Sequence, residues 1–466
     1  MNSSLSFQLY SKLPIWGQNI ACSLAGIKMY RERYGKTFRN CLESIEKSQW
    51  WSLEHQQEYQ NERLREIIRH AYATVPYYRR IFDAHKLKPS DISTVEDLIK
   101  IPILTKEIIR KAGKELLSTA ISSKERFHGH TGGTTGTALQ LYADRQLHPH
   151  QWAVWWRHRR RFGLDINDEF IVFAGRDVVP LNKMSPPIWR RNIPMHQTYV
   201  SIHHMTKNNM PALIDYLQRR KVSFYSGYPS AIYLVSNYML ENKIQHMSPP
   251  DVTVLGAETL LPHQKRSIEK AFKCTVTDQY GASEQCCNIS QCEKGIYHVD
   301  MEFGAIEFLP LKNMKSNVRK IVCTGLWNYA MPLIRYEIGD IATLPEQATD
   351  CQCGRKAPIV EKIDGRIESY IITPDGRQAG RLDFLFKDSN NIEEAQLIQN
   401  DIHSVVIKIV QGSHYSSKDE NQLLSDLKKY LGNVIRFDIK YVKEIPRSTN
   451  GKFRQIVSNV FKNKQS

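Results

Sequence analysis

An α/β chain of two unequal lobes is predicted: a large, multi-layered α/β N-terminal lobe that opens with a helical segment, and a small α+β lobe at the C-terminus. Three observations carry this. Between about 125 and 345, short apolar runs (Glu169-Phe-Ile-Val-Phe-Ala, Ser223-Phe-Tyr-Ser, Val252-Thr-Val-Leu, Ala305-Ile-Glu-Phe) alternate with helical stretches from Met210 to Lys221 and from Leu261 to Phe272. Strands and helices alternating at that spacing form an α/β core. Residues 1 to about 100 have helical texture instead, and beyond Gly365 strand, helix and strand follow within a unit of about a hundred residues. The expected division is 1–366 and 367–466.

Each element has a local reason. In Asn61-Glu-Arg-Leu-Arg-Glu-Ile-Ile-Arg-His-Ala-Tyr, the residues Leu64, Ile67, Ile68 and Ala71 share one helical face, and Val75-Pro76 ends the helix. Asp91 to Lys100 reads as a second, short helix. In the C-terminal unit, Ile371-Ile-Thr-Pro-Asp-Gly-Arg carries an Asp-Gly turn suited to a hairpin. Ser404-Val-Val-Ile-Lys-Ile-Val alternates as a strand, Glu420 to Leu431 is helical, and Ile435 to Val442 is a further strand.

Composition excludes several classes. In 466 residues, 41% hydrophobic and 24% charged side chains are ordinary globular values, so disordered and fibrous chains are excluded. Nine cysteines without a regular framework argue against a disulfide scaffold and for a reducing cytoplasm. No run reaches the ~18 uninterrupted apolar residues of a membrane span, and Met1 to Leu9 lacks the basic start of a secretory signal. Cytoplasmic residence is expected. Leu13-Pro-Ile-Trp-Gly-Gln-Asn-Ile-Ala is read as a packing segment, with a membrane or partner surface as the alternative.

Lys and Arg number 64 against 48 Asp and Glu, a net charge of +16. Such an excess serves anionic partners. No zinc-finger or repeated basic-aromatic pattern appears, so nucleic acid is not the expected partner. The densest cluster, Arg157-His-Arg-Arg-Arg161, reads as a solvated basic face.

Four short runs carry chemistry. His130-Thr-Gly-Gly-Thr-Thr-Gly-Thr137 makes a poor helix or strand; its freed amides and hydroxyls suit phosphate oxygens, with a flexible surface turn as the alternative, and it is not a Walker loop, since no lysine follows its last glycine. Asp278-Gln-Tyr-Gly-Ala-Ser-Glu284 puts a carboxylate after a glycine turn at a strand end, where open α/β sheets bind ligands. Tyr336-Glu-Ile-Gly-Asp340 and Pro446-Arg-Ser-Thr-Asn-Gly-Lys452 are weak alone, reading as a turn aspartate and a surface lysine. Cys351-Gln-Cys353 and the pair Cys292 and His298 have spacings able to close one tetrahedral site. Cys286 and Cys287 are read as buried apolar residues.

In order and spacing these runs resemble the adenylate-forming superfamily of acyl-CoA synthetases and adenylation domains, in the branch of phenylacetate-CoA ligase and the CapK-like capsular polysaccharide proteins. Ala71-Tyr-Ala-Thr-Val-Pro-Tyr-Tyr-Arg and Ala330-Met-Pro-Leu-Ile-Arg-Tyr-Glu-Ile-Gly-Asp340 are similar to that branch's own segments. The resemblance implies an AMP-forming ligase that activates a small carboxylic acid with ATP and Mg2+ and passes it to CoA or an amine. By that likeness Thr131, Gly133, Thr134, Thr135, Gly136 and Thr137 hold the β and γ phosphates. Gly256, Ala257 and Glu258 line the adenine, Tyr280 stacks on it within the Gly281 and Ser283 turn, and Glu284 ligates Mg2+. Asp340 holds the ribose, Arg366 follows at the lobe boundary, and Lys452 meets the carboxylate and α-phosphate. Gly132 stands where the family usually has Ser, and Ala138 where Pro is common.

The same likeness implies that Cys292, His298, Cys351 and Cys353 hold a structural Zn2+. Trp155, Trp156, His203, His204, Tyr225 and Tyr228 are candidates for the acyl pocket. Two alternatives stand beside this reading: AMP transfer to a cofactor hydroxyl, and an inactive binding protein that docks on membranes or acidic partners.

Overall fold

The structure is a computed structural model that describes residues 5–130, 139–180, 183, 185–311, 316–347, 350–366, 371–374, 378–379, 391–432, 434–447 and 453–460. The helical opening runs through Leu5–Lys12, Ile15–Arg33, Lys36–Ser48, Leu53–Thr74 and Pro76–Ala84. Ser52 caps the long fourth helix by accepting the amide of His55. That helix stops where Pro76, lacking an amide hydrogen, starts the next one. Leu64, Ile67, Ile68 and Ala71 are buried on the expected face.

The second short helix expected over Asp91 to Lys100 is instead two 3-10 turns, Pro89–Asp91 and Glu96–Lys100. Asp97 accepts the amides of Ser93 and Thr94, each at 3.0 Å, and this local bonding competes with a continuous helix.

The main sheet has nine strands among the described residues. Its centre is parallel, in the order Gln197–Ser201, Phe170–Ala174, Phe224–Gly227, Val252–Gly256, Thr275–Gly281. Asn288–Gln291, Tyr297–Val299 and Ile359–Val360 continue it antiparallel on one side, and Trp189–Asn192 closes the other. Parallel strands need helical crossovers and cover on both faces. Ile171, Phe173, Tyr225 and Leu255 point to the helices Met210–Gln218, Pro229–Glu241 and Pro262–Phe272. Phe170, Phe224, Val252 and Val254 point the other way, against Trp156 and the helix Lys36–Ser48.

A four-stranded antiparallel sheet, Gly304–Pro310, Val318–Gly325, Tyr336–Thr343 and Lys362–Arg366, packs beneath the long N-terminal helix through a shared core that includes Ile67, Ile321, Ile338 and Val360. Downstream, Arg436–Tyr441, Ser404–Gln411, Ile392–Asp401 and Ile456–Ser458 form a third sheet, whose core with the helix Ser417–Leu431 is its own. Ile371–Ile372 pairs with Gln378–Ala379, as the Asp-Gly turn predicts. No helix among the described residues is long and apolar enough to cross a membrane.

Candidate functional site

The C-terminal ends of two adjacent parallel strands supply the first residues. Gly256 ends one strand and pairs with Gln279 on the next. A side chain at Gly256 would meet the Gln279 carbonyl at 2.9 Å, so the strands approach there only because the residue is glycine. Ala257 follows in the left-handed region, with φ 68, which turns the chain sharply out of the sheet.

That turn delivers Glu258 to the start of the helix Pro229–Glu241, where one carboxylate oxygen accepts the Ser230 amide at 3.1 Å. The other accepts the Phe453 amide at 2.7 Å. Burial pushes the Glu258 carboxyl above its usual range despite these two donors. The chain next to residue 452 is thereby held at the strand ends. Lys452 itself lies outside the described residues.

On the neighbouring strand, the Tyr280 hydroxyl donates to Asp340 Oδ2 at 2.7 Å. Asp340 stands on the four-stranded sheet, paired in register with Arg366. Glu284, three residues beyond Gly281, is buried and accepts a hydrogen bond from the Tyr336 hydroxyl at 2.9 Å. Tyr280, Glu284 and Asp340 therefore meet where the two sheets converge, and Ser283 beside them is exposed. Tyr336 was missed as a partner because its side chain is an ordinary core residue in any pattern of the sequence. An oxygen-only group such as Glu284 suits Mg2+.

Thr131 to Thr137 lie outside the described residues. The strands that flank them, Phe127–His130 and Gln140–Ala143, form an antiparallel hairpin with His130 opposite Gln140. Asn328 Nδ2 donates to the Tyr142 carbonyl at 2.9 Å, and the Tyr329 amide donates to Asp144 Oδ2 at 2.7 Å. The hairpin is so joined to the segment that leads into Asp340.

The basic cluster corrects the sequence reading. It is not a solvated face: Arg157, His158 and Arg159 are buried, and of the five residues only Arg160 is exposed. Arg157 pairs with Asp300 at 2.6 Å and with Glu302 at 2.7 Å, and Arg161 lies 3.6 Å from Asp300. His158 contacts Gln279 Oε1 at 3.0 Å and Thr277 Oγ1 at 2.9 Å, which ties the helix Leu147–Arg160 to the strand of Tyr280. Burial pulls the His158 pKa down to about 3. The cluster goes inside because the helix is sandwiched between the sheet and another helix, with two carboxylates brought in to compensate.

Four of the acyl-pocket candidates make hydrogen bonds within the fold. Trp155 donates to Asn288, Trp156 to Tyr34, His204 contacts Ser201 and the Pro180 carbonyl, and Tyr225 contacts His246. Tyr228 and His203 are partly exposed. A cavity of about 380 Å³ lined by Lys36, Cys41, Tyr59, His150 and Trp327 opens elsewhere, under the helical segment. It shares no residue with the strand-end site.

At the sheet edge, Cys292, His298, Cys351 and Cys353 come together with their ligand atoms all within 4.8 Å of one another. Cys292 Sγ lies 3.7 Å from Cys351 Sγ, and Cys353 Sγ lies 3.5 Å from His298 Nε2. Sulfurs around a tetrahedral zinc with ~2.3 Å bonds sit ~3.8 Å apart, so the spacing and the soft donor set suit that ion. His298 Nδ1 is 3.1 Å from the Ala357 carbonyl, leaving Nε2 as the inward nitrogen.

A parallel sheet with these groups at its strand ends, joined to a second antiparallel sheet and a small α+β unit, is the architecture of the adenylate-forming enzymes. A solved 2-hydroxyisobutyryl-CoA ligase, in the postadenylation state with an acyl-adenylate, superimposes with TM-score 0.69 at 16% identity over 89% of this chain and 93% of that one. Residues 371–459 match the CapK C-terminal domain family. Protein CapK of Staphylococcus aureus is 25% identical over 97% of this chain and 99% of its own length. The phenylacetate-coenzyme A ligase of Escherichia coli K12 is 36% identical over 69% of this chain and 73% of its own. The chain belongs to the adenylate-forming superfamily with the phenylacetate-coenzyme A ligases, and is an AMP-forming carboxylate ligase.

Proposed function

We propose that the chain joins a small carboxylic acid to CoA through an acyl-adenylate, with ATP and the acid meeting at the strand-end site. A carboxylate oxygen attacks the α-phosphorus, the bond to the bridging oxygen breaks, and pyrophosphate leaves. The CoA thiol then attacks the acyl carbon and AMP departs. The observation that carries the reading is the bond from the Phe453 amide to Glu258, because it holds Phe453, the residue that follows Lys452 in the sequence, beside the ends of the strands of Gly256 and Tyr280. CoA is preferred to an amine acceptor on the likeness to the phenylacetate-coenzyme A ligases.

Phosphoryl chemistry asks a protein to position groups and neutralise developing charge. In this reading Gly256, Ala257 and Glu258 border the adenine, Tyr280 lies against it, and Asp340, oriented by Tyr280, accepts the ribose hydroxyls. Thr131, Gly133, Thr134, Thr135, Gly136 and Thr137 offer amides and hydroxyls to the phosphates. Lys452 supplies positive charge between the carboxylate and the α-phosphate, and Arg366 lies at the boundary between lobes 1–366 and 367–466. Glu284 would hold Mg2+, which supplies charge neutralisation on the phosphates. Cys292, His298, Cys351 and Cys353 would hold a structural Zn2+.

The test is pyrophosphate release from ATP and Mg2+ across a panel of aryl, aliphatic, sugar and amino acids, followed by thioester detection with CoA. Acid-dependent release with thioester formation is expected. No release with any acid would overturn the reading, and release without a thioester, but with product from an added amine, would transfer the second step to an amine acceptor.

A further inference from the structure

The helix Ile15–Arg33 uses one face to pack and leaves the opposite face bare. On the packed side Gln18 Oε1 accepts from Arg190 Nε at 2.6 Å, Asn19 Oδ1 from the Arg191 amide at 2.9 Å, and Ser23 Oγ from the Ile193 amide at 3.3 Å. Gly26 sits against Asn192 on the same side. The outward side carries Trp16 at 67%, Ile20 at 52%, Leu24 at 63% and Ile27 at 39% exposure, extended by Leu13 and by Leu9 on the preceding helix. Steps of three and four residues align these side chains in one stripe. Ile193, 64% exposed and joined to Ser23, widens it. An apolar surface this continuous is a binding surface rather than scattered exposure.

Charge identifies the occupant. Lys12, Lys28, Arg31 and Arg191 are exposed around the stripe. Over residues 5–33 the single acidic residue is Glu32, 3.9 Å from Lys28. A second copy of the chain laid on this stripe would bring the same cations together, on a molecule already at +16. An anionic lipid surface matches both features, since an in-plane helix buries an apolar stripe at the headgroup boundary while flanking Lys and Arg meet lipid phosphates, with Trp favoured at that depth. We propose that residues 9–31, with Arg191 and Ile193, dock the enzyme on anionic phospholipid bilayers as a peripheral, non-spanning anchor.

The experiment is vesicle flotation of the full chain at low and high salt, using pure phosphatidylcholine vesicles and vesicles of phosphatidylcholine and phosphatidylglycerol in equal parts. The parent is expected to float with the anionic vesicles only, and less so at high salt. Trp16→Ser combined with Leu24→Ser, and separately Lys28→Glu combined with Arg31→Glu, should each cut the bound fraction roughly tenfold or more, without changing thermal stability or vesicle-free pyrophosphate release. All four substituted positions are exposed, and the melting curve checks that both variants fold. Failure of the parent to float, or equal flotation of parent and variants, overturns the proposal. So does a parent dimer that the Trp16 and Leu24 variant converts to monomer, since a second copy would then be the occupant.

Discussion

Tyr280 and Asp340 stand on different sheets, and a 2.7 Å hydrogen bond from the tyrosine hydroxyl to the aspartate carboxylate closes the gap between them. Removing either end tests whether Asp340 receives a ribose. Asp340→Ala is expected to raise KM for ATP by roughly tenfold to a hundredfold, the size of a lost charge-assisted bond of ~1.5–3 kcal/mol. Tyr280→Phe keeps the ring and loses only the orienting bond, so KM should rise by about tenfold or less. Pyrophosphate-release kinetics give both values; an unchanged KM in the two variants would remove the ribose role.

Lys452 and Glu258 should separate by the kind of damage they cause. Lys452→Ala is expected to slow pyrophosphate release by on the order of a hundredfold or more while leaving stability within ~0.5 kcal/mol. Glu258→Ala strands the amides of Ser230 and Phe453, and should cost about 1–3 kcal/mol of stability along with activity. Denaturant unfolding beside the kinetic assay checks the split. Equal turnover in Lys452→Ala and parent would sink the lysine's assignment.

The four-ligand centre predicts one zinc per chain in purified protein by elemental analysis. Cys351→Ser should lose that metal and lower unfolding free energy by at least about 3 kcal/mol, because ion binding is folding energy when the ligands come from separate strands and loops. A strong chelator should reproduce the loss in the parent and have no further effect on the variant. Metal-free protein with unaltered stability would dismiss the centre.

Acid sensitivity should trace in part to His158. Its pKa is lowered by burial to about 3, so between that value and ~6.5 the unfolded chain binds the extra proton and stability rises with pH. The contribution is complete above ~6.5 and falls by ~2 kcal/mol on acidification from pH 7 to pH 5. His158→Gln should flatten that part of the stability curve, read from urea midpoints at several pH values. An unchanged slope would mean the imidazole is not neutral in the fold.

The sequence disclosed those features whose physics is local. Periodicity located the helix Leu53–Thr74 and the face that carries Leu64 and Ile68, and alternation of short strands with helices gave the parallel sheet. Spacing also brought Cys292 and His298 to Cys351 and Cys353. What it concealed depends on distant partners. Nothing near Arg157 in the chain announces Asp300 and Glu302, so a run of cations read as solvated. A usable signal was present in the aromatic residues around it: Trp152, Trp155 and Trp156 make the helix apolar on several sides, which leaves little of it for water. Tyr336 and the Phe453 amide were equally invisible, since each gains its role from a side chain on another element.

The helix Leu147–Arg160 has a further consequence. Asp144 caps its start through the amides of Gln146 and Leu147 while also holding Tyr329, so the hairpin that brackets the threonine-rich run is clamped to one end. His158, at the other end, grips Gln279, the residue before Tyr280. In the proposed reading, the two halves of the nucleotide site are thus mounted on a single strut, whose buried ion pairs resist sliding. The length of that strut then gauges the spacing between the hairpin and the strand of Tyr280, and inserting or deleting one residue within it would throw the two ends out of alignment, even with every side chain of the proposed site intact.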